Sequence, residues 1–155
     1  MPNHVYLDYN ATTPVAPEVV DVMIPWFTER FWNAASAHSM GAMANDAVET
    51  ARQQVADLIG AHPNEIVFTS GSTESINLAL KGALSASPDR TGIVTVATEH
   101  KAVLDTAAWL AEQGASTCVL PVTASGEIDP ELFAGSVDEH TAVVSVMAAN
   151  NETGV

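Results

Sequence analysis

Alternation is the feature that most constrains this chain. From residue 65 onward, short apolar runs trade places with longer segments whose apolar residues recur at helical spacing. Strands are predicted at 65–69 (EIVFT), 92–97, 116–121 and 142–148, the last reading as a buried strand. Helices are predicted between them at 73–84, 101–113 (closed by Gly114) and, after a turn at 123–126, 130–137. Strands that alternate with helices are joined by crossovers, so the expected fold is α/β, a mainly parallel sheet with flanking helices. Two helices come first. One spans 16–29, with Pro17 in its first turn and Val19, Val20, Met23, Ile24 and Phe27 on one stripe. Pro25 is expected to kink it or end it early. The other, 40–59, repeats Ala44, Val48, Ala51, Val55 and Leu58 and meets a natural stop at Gly60.

Composition narrows the function classes. At 155 residues, 47% hydrophobic and 15% charged, the chain is long enough and apolar enough to bury a core. Five Lys plus Arg stand against 19 Asp plus Glu, a net charge of −14. That balance argues against nucleic acid and against an anionic membrane surface, both of which need clustered cations. Cys118 is the only cysteine, which excludes an internal disulfide and points to a reducing compartment. MPNHVYLDYN lacks the basic and apolar regions of a signal peptide, and no apolar run is long enough to span a membrane. A cytoplasmic protein is expected.

Three places carry residues suited to chemistry. In FTSGSTESINLALKG, Gly71, Ser72 and Thr73 join a strand-like run to a helix start, where unpaired backbone N–H groups attract an anion. The competing reading is a plain capping turn, with Ser72 or Thr73 as the cap. In ATEHKAVLDT, His100 lies where a strand gives way to a helix; it is either a ring-stacking or proton-moving group, or simply a helix-start residue. In MAANNETGV, Asn150 and Asn151 follow a strand, so at least one amide is expected to face whatever sits over the strand ends, unless both serve the turn. YLDYNATTP, with Asp8, Asn10, Thr12 and Thr13, reads most simply as a turn or cap ahead of the first helix. His4, His38, His62 and His140 show no metal spacing with His100 or with one another, so no metal site is expected.

Taken in order, YLDYNATTP, WNAASAHSMG, FTSGSTESINLALKG, TEHKAVLDT and ANNETGV resemble the NifS/IscS-type cysteine desulfurases, class V pyridoxal-phosphate enzymes of the aspartate-aminotransferase fold. The resemblance covers essentially the whole chain and implies its N-terminal half of that fold: an extended segment and turn over 1–15, then a partial large, cofactor-binding domain over 16–155. It implies that Ser72 and Thr73 hold the phosphate of pyridoxal 5′-phosphate, with Gly71 allowing close approach. It implies that His100 stacks on the ring and shuttles protons. Asn151 then lies beside the ring oxygen and the substrate carboxylate. The implied reaction converts L-cysteine to L-alanine and leaves persulfide sulfur for an acceptor protein, for iron–sulfur clusters or thio-modification.

Two departures stand out. Ala34 occupies the place of a customary proline. The Schiff-base lysine, its preceding segment, the acidic partner of the pyridine nitrogen, the substrate-binding arginine and the persulfide cysteine have no counterpart here. Lys81, Lys101 and Cys118 are not suited to replace them, Cys118 reading as a core residue on a strand. Three readings follow: one half of a split enzyme completed by a C-terminal polypeptide, within a homo-oligomer or heteromer; a fragment of a longer desulfurase; or a non-catalytic binding or regulatory module. A cysteine or selenocysteine lyase of the same class is also compatible. No activity is expected of this chain alone.

Overall fold

The computed structural model describes residues His4–Val155 and divides into two compact units, residues 1–68 and 69–155; Met1, Pro2 and Asn3 of the N-terminal segment lie outside the described residues. The first unit is helical. Helix α1 spans Pro17–Thr28, and its helical run continues through Pro25. The proline therefore neither ends the helix early nor stops its last turn from forming, and the Glu29 and Arg30 amides both bond the Pro25 carbonyl. No residue of α1 is buried.

Helix α2, Ser39–Ile59, opens on a side-chain cap: His38 Nδ1 accepts from the Gly41 amide at 3.1 Å. A methyl group at position 41 would overlap the Ser36 carbonyl, so glycine lets the preceding turn lie against the helix. The His-x-x-Gly spacing thus has a local cause in both residues. At the far end Gly60 takes the left-handed conformation, φ 69°, and its amide bonds the Ala56 carbonyl.

The strand predicted at 65–69 does not form. Pro63–Glu65 is a 3-10 turn capped by His62, and the extended backbone from Ile66 on has no ladder partner among the described residues. Phe68 stays half-exposed, its ring under the Arg52 guanidinium, 5.0 Å from the ring centroid. Apolar composition and β-branching make a segment fit for a sheet, but pairing makes it a strand.

The second unit is the α/β layer. Helix α3 (Ser72–Ala86) precedes strand β1 (Gly92–Val96), helix α4 (Lys101–Glu112), strand β2 (Ser116–Leu120), the short helix α5 (Pro130–Ser136) and strand β3 (Thr141–Ser145). The sheet is parallel, in the order β2-β1-β3, so β1 is central and is the most buried strand. Alternation along β1 sends its side chains to two faces. Ile93 packs with Leu80 of α3 and Val103, Ala107 and Leu110 of α4; Val94 and Val96 pack with Leu120, with Cys118 and Phe133 at the margin. Thr95 is wholly buried, and its hydroxyl has no hydrogen-bond partner among the described residues. The last strand is shorter than its apolar run, ending at Ser145 rather than continuing to Ala148.

Candidate functional site

In a parallel sheet the loops after the strands gather at one edge, where ligands bind. Here the loop after β1 delivers His100 and the loop after β3 delivers Asn150 and Asn151. The turn Gly71–Thr73 opens α3 within the same unit.

The start of α3 has an open geometry. Its cap position is Gly71, at φ 159° and ψ −179°, a conformation on the glycine side of extended backbone. Among the described residues no side chain caps the helix. Ser72 and Thr73 are its first two residues and neither is the cap, so the plain capping reading of these hydroxyls is corrected. An acid lies close by: the Glu74 carboxylate accepts from the Ser70 hydroxyl at 2.6 Å and the Ser70 amide at 2.7 Å. Those two bonds, the hydroxyl's first, hold the Glu74 carboxyl below its ordinary range. Glu74 ties the turn back on itself and leaves the first amides of α3 pointing outward. An anion's phosphoryl oxygens suit such a terminus, with backbone N–H groups and two hydroxyls as donors.

The start of α4 is built differently. His100 is its cap, and Nδ1 accepts from the Ala102 amide at 3.0 Å. An Nδ1 that accepts is unprotonated, so the neutral ring carries its proton on Nε2. Stacking group and helix-start residue, posed as alternatives by the sequence, are compatible in one side chain. The buried Glu99 carboxylate accepts from the His100 amide at 3.0 Å and from the Ser145 hydroxyl of β3 at 3.5 Å.

The two asparagines part company. Asn150 is 9% exposed and Asn151 is exposed. The Asn150 side chain builds the loop: Oδ1 accepts from the Glu152 and Thr153 amides at 2.9 and 2.8 Å, and Nδ2 donates to the Thr98 carbonyl at 2.8 Å. Asn150 serves the turn, one of the two readings that the sequence left open, whereas Glu74 and Glu99 drew no expectation from the sequence. Ser70 and Glu74 are four apart with Gly71 at the cap, so their contact does not follow the Ser-x-x-Glu capping spacing.

The other reactive side chains are occupied elsewhere. Lys81 Nζ lies over the Trp109 ring, 4.3 Å from its centroid, joining α3 to α4. Lys101 pairs with Asp105 at 2.8 Å on the exposed face of α4. Cys118 is half-buried on β2 beside the Val94, Val96 and Leu120 cluster. Among the described residues no group of three or more His, Cys, Asp and Glu side chains is placed to hold a metal ion, and no helix is long and apolar enough to cross a membrane. A wide apolar groove in the first unit, lined by Trp26, Trp32 and Phe68 among others, presents Arg30 as its one ionisable side chain.

The comparisons agree with this architecture. The chain is 51% identical over 154 residues to the cysteine desulfurase IscS of Dechloromonas aromatica, covering 97% of this chain and 38% of that protein. It is 48% identical over 157 residues to a mitosomal cysteine desulfurase of Trachipleistophora hominis, covering 99% of this chain and 36% of that one. A solved NifS-like protein superposes with a TM-score of 0.90 at 44% identity, over 96% of this chain and 41% of that chain. The chain therefore spans well under half the length of the relatives it matches. The parallel sheet and flanking helices match the N-terminal half of the pyridoxal 5′-phosphate-dependent fold of these neighbours. The profile of the class-V aminotransferases matches residues 5–155, and the chain belongs to that family, whose members depend on pyridoxal 5′-phosphate.

Proposed function

We propose that this polypeptide supplies the phosphate-holding and ring-stacking part of a cysteine desulfurase. In this reading a complementary C-terminal polypeptide supplies the lysine that tethers the cofactor, the substrate-binding arginine and the persulfide-forming cysteine. Residues 1–15 are the entry segment and 16–155 part of the large domain. The assembly works in the cytoplasm as an oligomer of the aminotransferase type, takes L-cysteine, releases L-alanine and passes sulfur to an acceptor protein.

The observation that carries the reading is the open first turn of α3, flanked by two hydroxyls that cap nothing. A phosphate dianion held there would be bound by the Ser72 and Thr73 amides and hydroxyls, with Gly71 removing any side chain from its approach. His100 presents the face of a ring whose orientation is set by its cap bond, and holds its exchangeable proton at Nε2. Asn151 orients the substrate carboxylate through its amide. Pyridoxal 5′-phosphate, once bound, supplies the electron sink for bond breaking at the substrate. These residues position and exchange protons; the nucleophile is not among them.

Native mass spectrometry of untagged protein from its own cells tests this directly, with borohydride reduction in parallel. The expected result is a second polypeptide travelling with this one, and a reduced phosphopyridoxyl group on that partner's lysine. A colourless protein that runs alone, with no adduct on any lysine, overturns the catalytic reading and leaves a binding module.

A further inference from the structure

We propose that Asn150 is a positioning residue for this site, locking the loop that carries Asn151 to the loop that carries His100; the inference rests on the cofactor-site reading above. Asn150 is 9% exposed, and its side chain uses both ends of the amide. Oδ1 accepts from the Glu152 and Thr153 amides at 2.9 and 2.8 Å, which folds the loop after β3. Nδ2 donates to the Thr98 carbonyl at 2.8 Å, across 52 positions of sequence, and lies 3.3 Å from the Met147 sulfur. Main-chain bonds from the Asn150 amide to the Val155 carbonyl and from the Gly154 amide to the Asn150 carbonyl close the same turn.

Thr98 belongs to a segment held on several sides. The Ala97 amide bonds Leu120 of β2, the Glu99 amide bonds Val96, and the Glu99 carboxylate holds both the His100 amide and Ser145 of β3. Two residues after Thr98 stands the His100 ring, and one residue after Asn150 stands Asn151. Asn150 is therefore a side chain through which the Asn151 loop grips the His100 segment. The role needs an acceptor facing one loop and a donor facing the other, within a short side chain. Aspartate keeps only the acceptor, and turns a second acceptor toward the Thr98 carbonyl.

That difference separates a positioning role from a merely local one. The test uses protein isolated with any polypeptide that accompanies it, in wild-type, Asn150→Asp and Asn150→Ala forms. Hydrogen–deuterium exchange and titration with pyridoxal 5′-phosphate, followed by its absorption band, are the two readouts. In Asn150→Asp the Glu152 and Thr153 amides should remain protected, amides 99–102 should exchange several-fold faster, and cofactor affinity should fall about tenfold, the size of one lost buried hydrogen bond. Asn150→Ala should lose protection in both loops. In wild-type protein, added cofactor should slow exchange at 99–102 and 152–153 together, a readout that requires no variant to fold. Cofactor uptake by Asn150→Asp equal to wild type, or slowing confined to one loop, overturns the inference alone. Wild-type protein that takes up no pyridoxal 5′-phosphate overturns the cofactor reading and this inference with it.

Discussion

The helices α3 and α4 begin in opposite ways. Both pack on the same core through Leu80, Val103, Ala107 and Leu110, and both carry candidate site residues in or just before their first turn. Yet α4 is capped by the side chain of His100, while α3 has glycine at its cap and no side chain on its amides. A cap satisfies orphan donors and holds the capping side chain in one orientation. Where a ring must keep its orientation, the cap serves that purpose. Where an anion is to be held, an internal cap would compete with it. The carboxylate nearest that turn, Glu74, bonds backward to Ser70.

Replacing His100 should break the comparison most deeply. His100→Ala removes cap and ring together, lowering stability by about 1 kcal/mol and the desulfurase rate of the assembled enzyme by roughly 10²–10⁴-fold. His100→Asn restores a capping oxygen but no ring, so thermal stability should recover while the rate does not. Recovery of both would reduce His100 to a cap.

Leu80→Ala attacks what the two helices share. Loss of a buried leucine beneath both should cost about 2–5 kcal/mol in urea unfolding, with faster hydrogen exchange at both helix starts. Loosening at only one would show that they do not rest on a common core.

Ser72→Asp sharpens the contrast at α3. A carboxylate in a first helical turn favours the helix by about 0.3–1 kcal/mol, yet it opposes a phosphate dianion. Melting temperature should rise slightly while pyridoxal 5′-phosphate affinity falls about a hundredfold, through repulsion and the lost hydroxyl. Unchanged affinity would remove the phosphate from this turn.

The smallest effect is set by pH. Because the folded-state pKa of Glu74 is lowered, chiefly by the Ser70 hydroxyl, its contribution is present above the ordinary carboxylate pKa and lost as pH falls through the folded value. Wild type should therefore exceed Glu74→Gln in urea stability near neutral pH, and the gap should narrow below about pH 4. A gap constant across that range would remove the ionised Glu74–Ser70 contact as its cause.

Much of the molecule was readable along the chain. Helix α2 runs within a residue of its expected bounds, because His38 carries start chemistry and Gly60 stop chemistry. Strands β1 and β2 stand where their β-branched runs predict. Pro25 does not end α1, which runs on to Thr28, because whether a proline ends a helix depends on the turn around it. The extended run at 65–69 was misjudged because strand formation belongs to a pair of segments. At the candidate site, the helix starts at His100 and at the Gly71 turn were legible in residue type and placement. That the Asn150 side chain builds the loop was not, since two adjacent asparagines look alike until their neighbours are known.

Local chemistry along the sequence was thus sufficient to determine the alternation of elements, most helix boundaries, the acidic balance and the family motifs in their order. Only tertiary structure decided that β1 lies between β2 and β3, that Glu99 reaches Ser145, and that Asn150 grips Thr98. Caps and helical stripes join residues three or four apart, which a short stretch can specify. Parallel strands and the loops at their ends meet across tens of residues, and which of them meet is settled only when the core closes around β1.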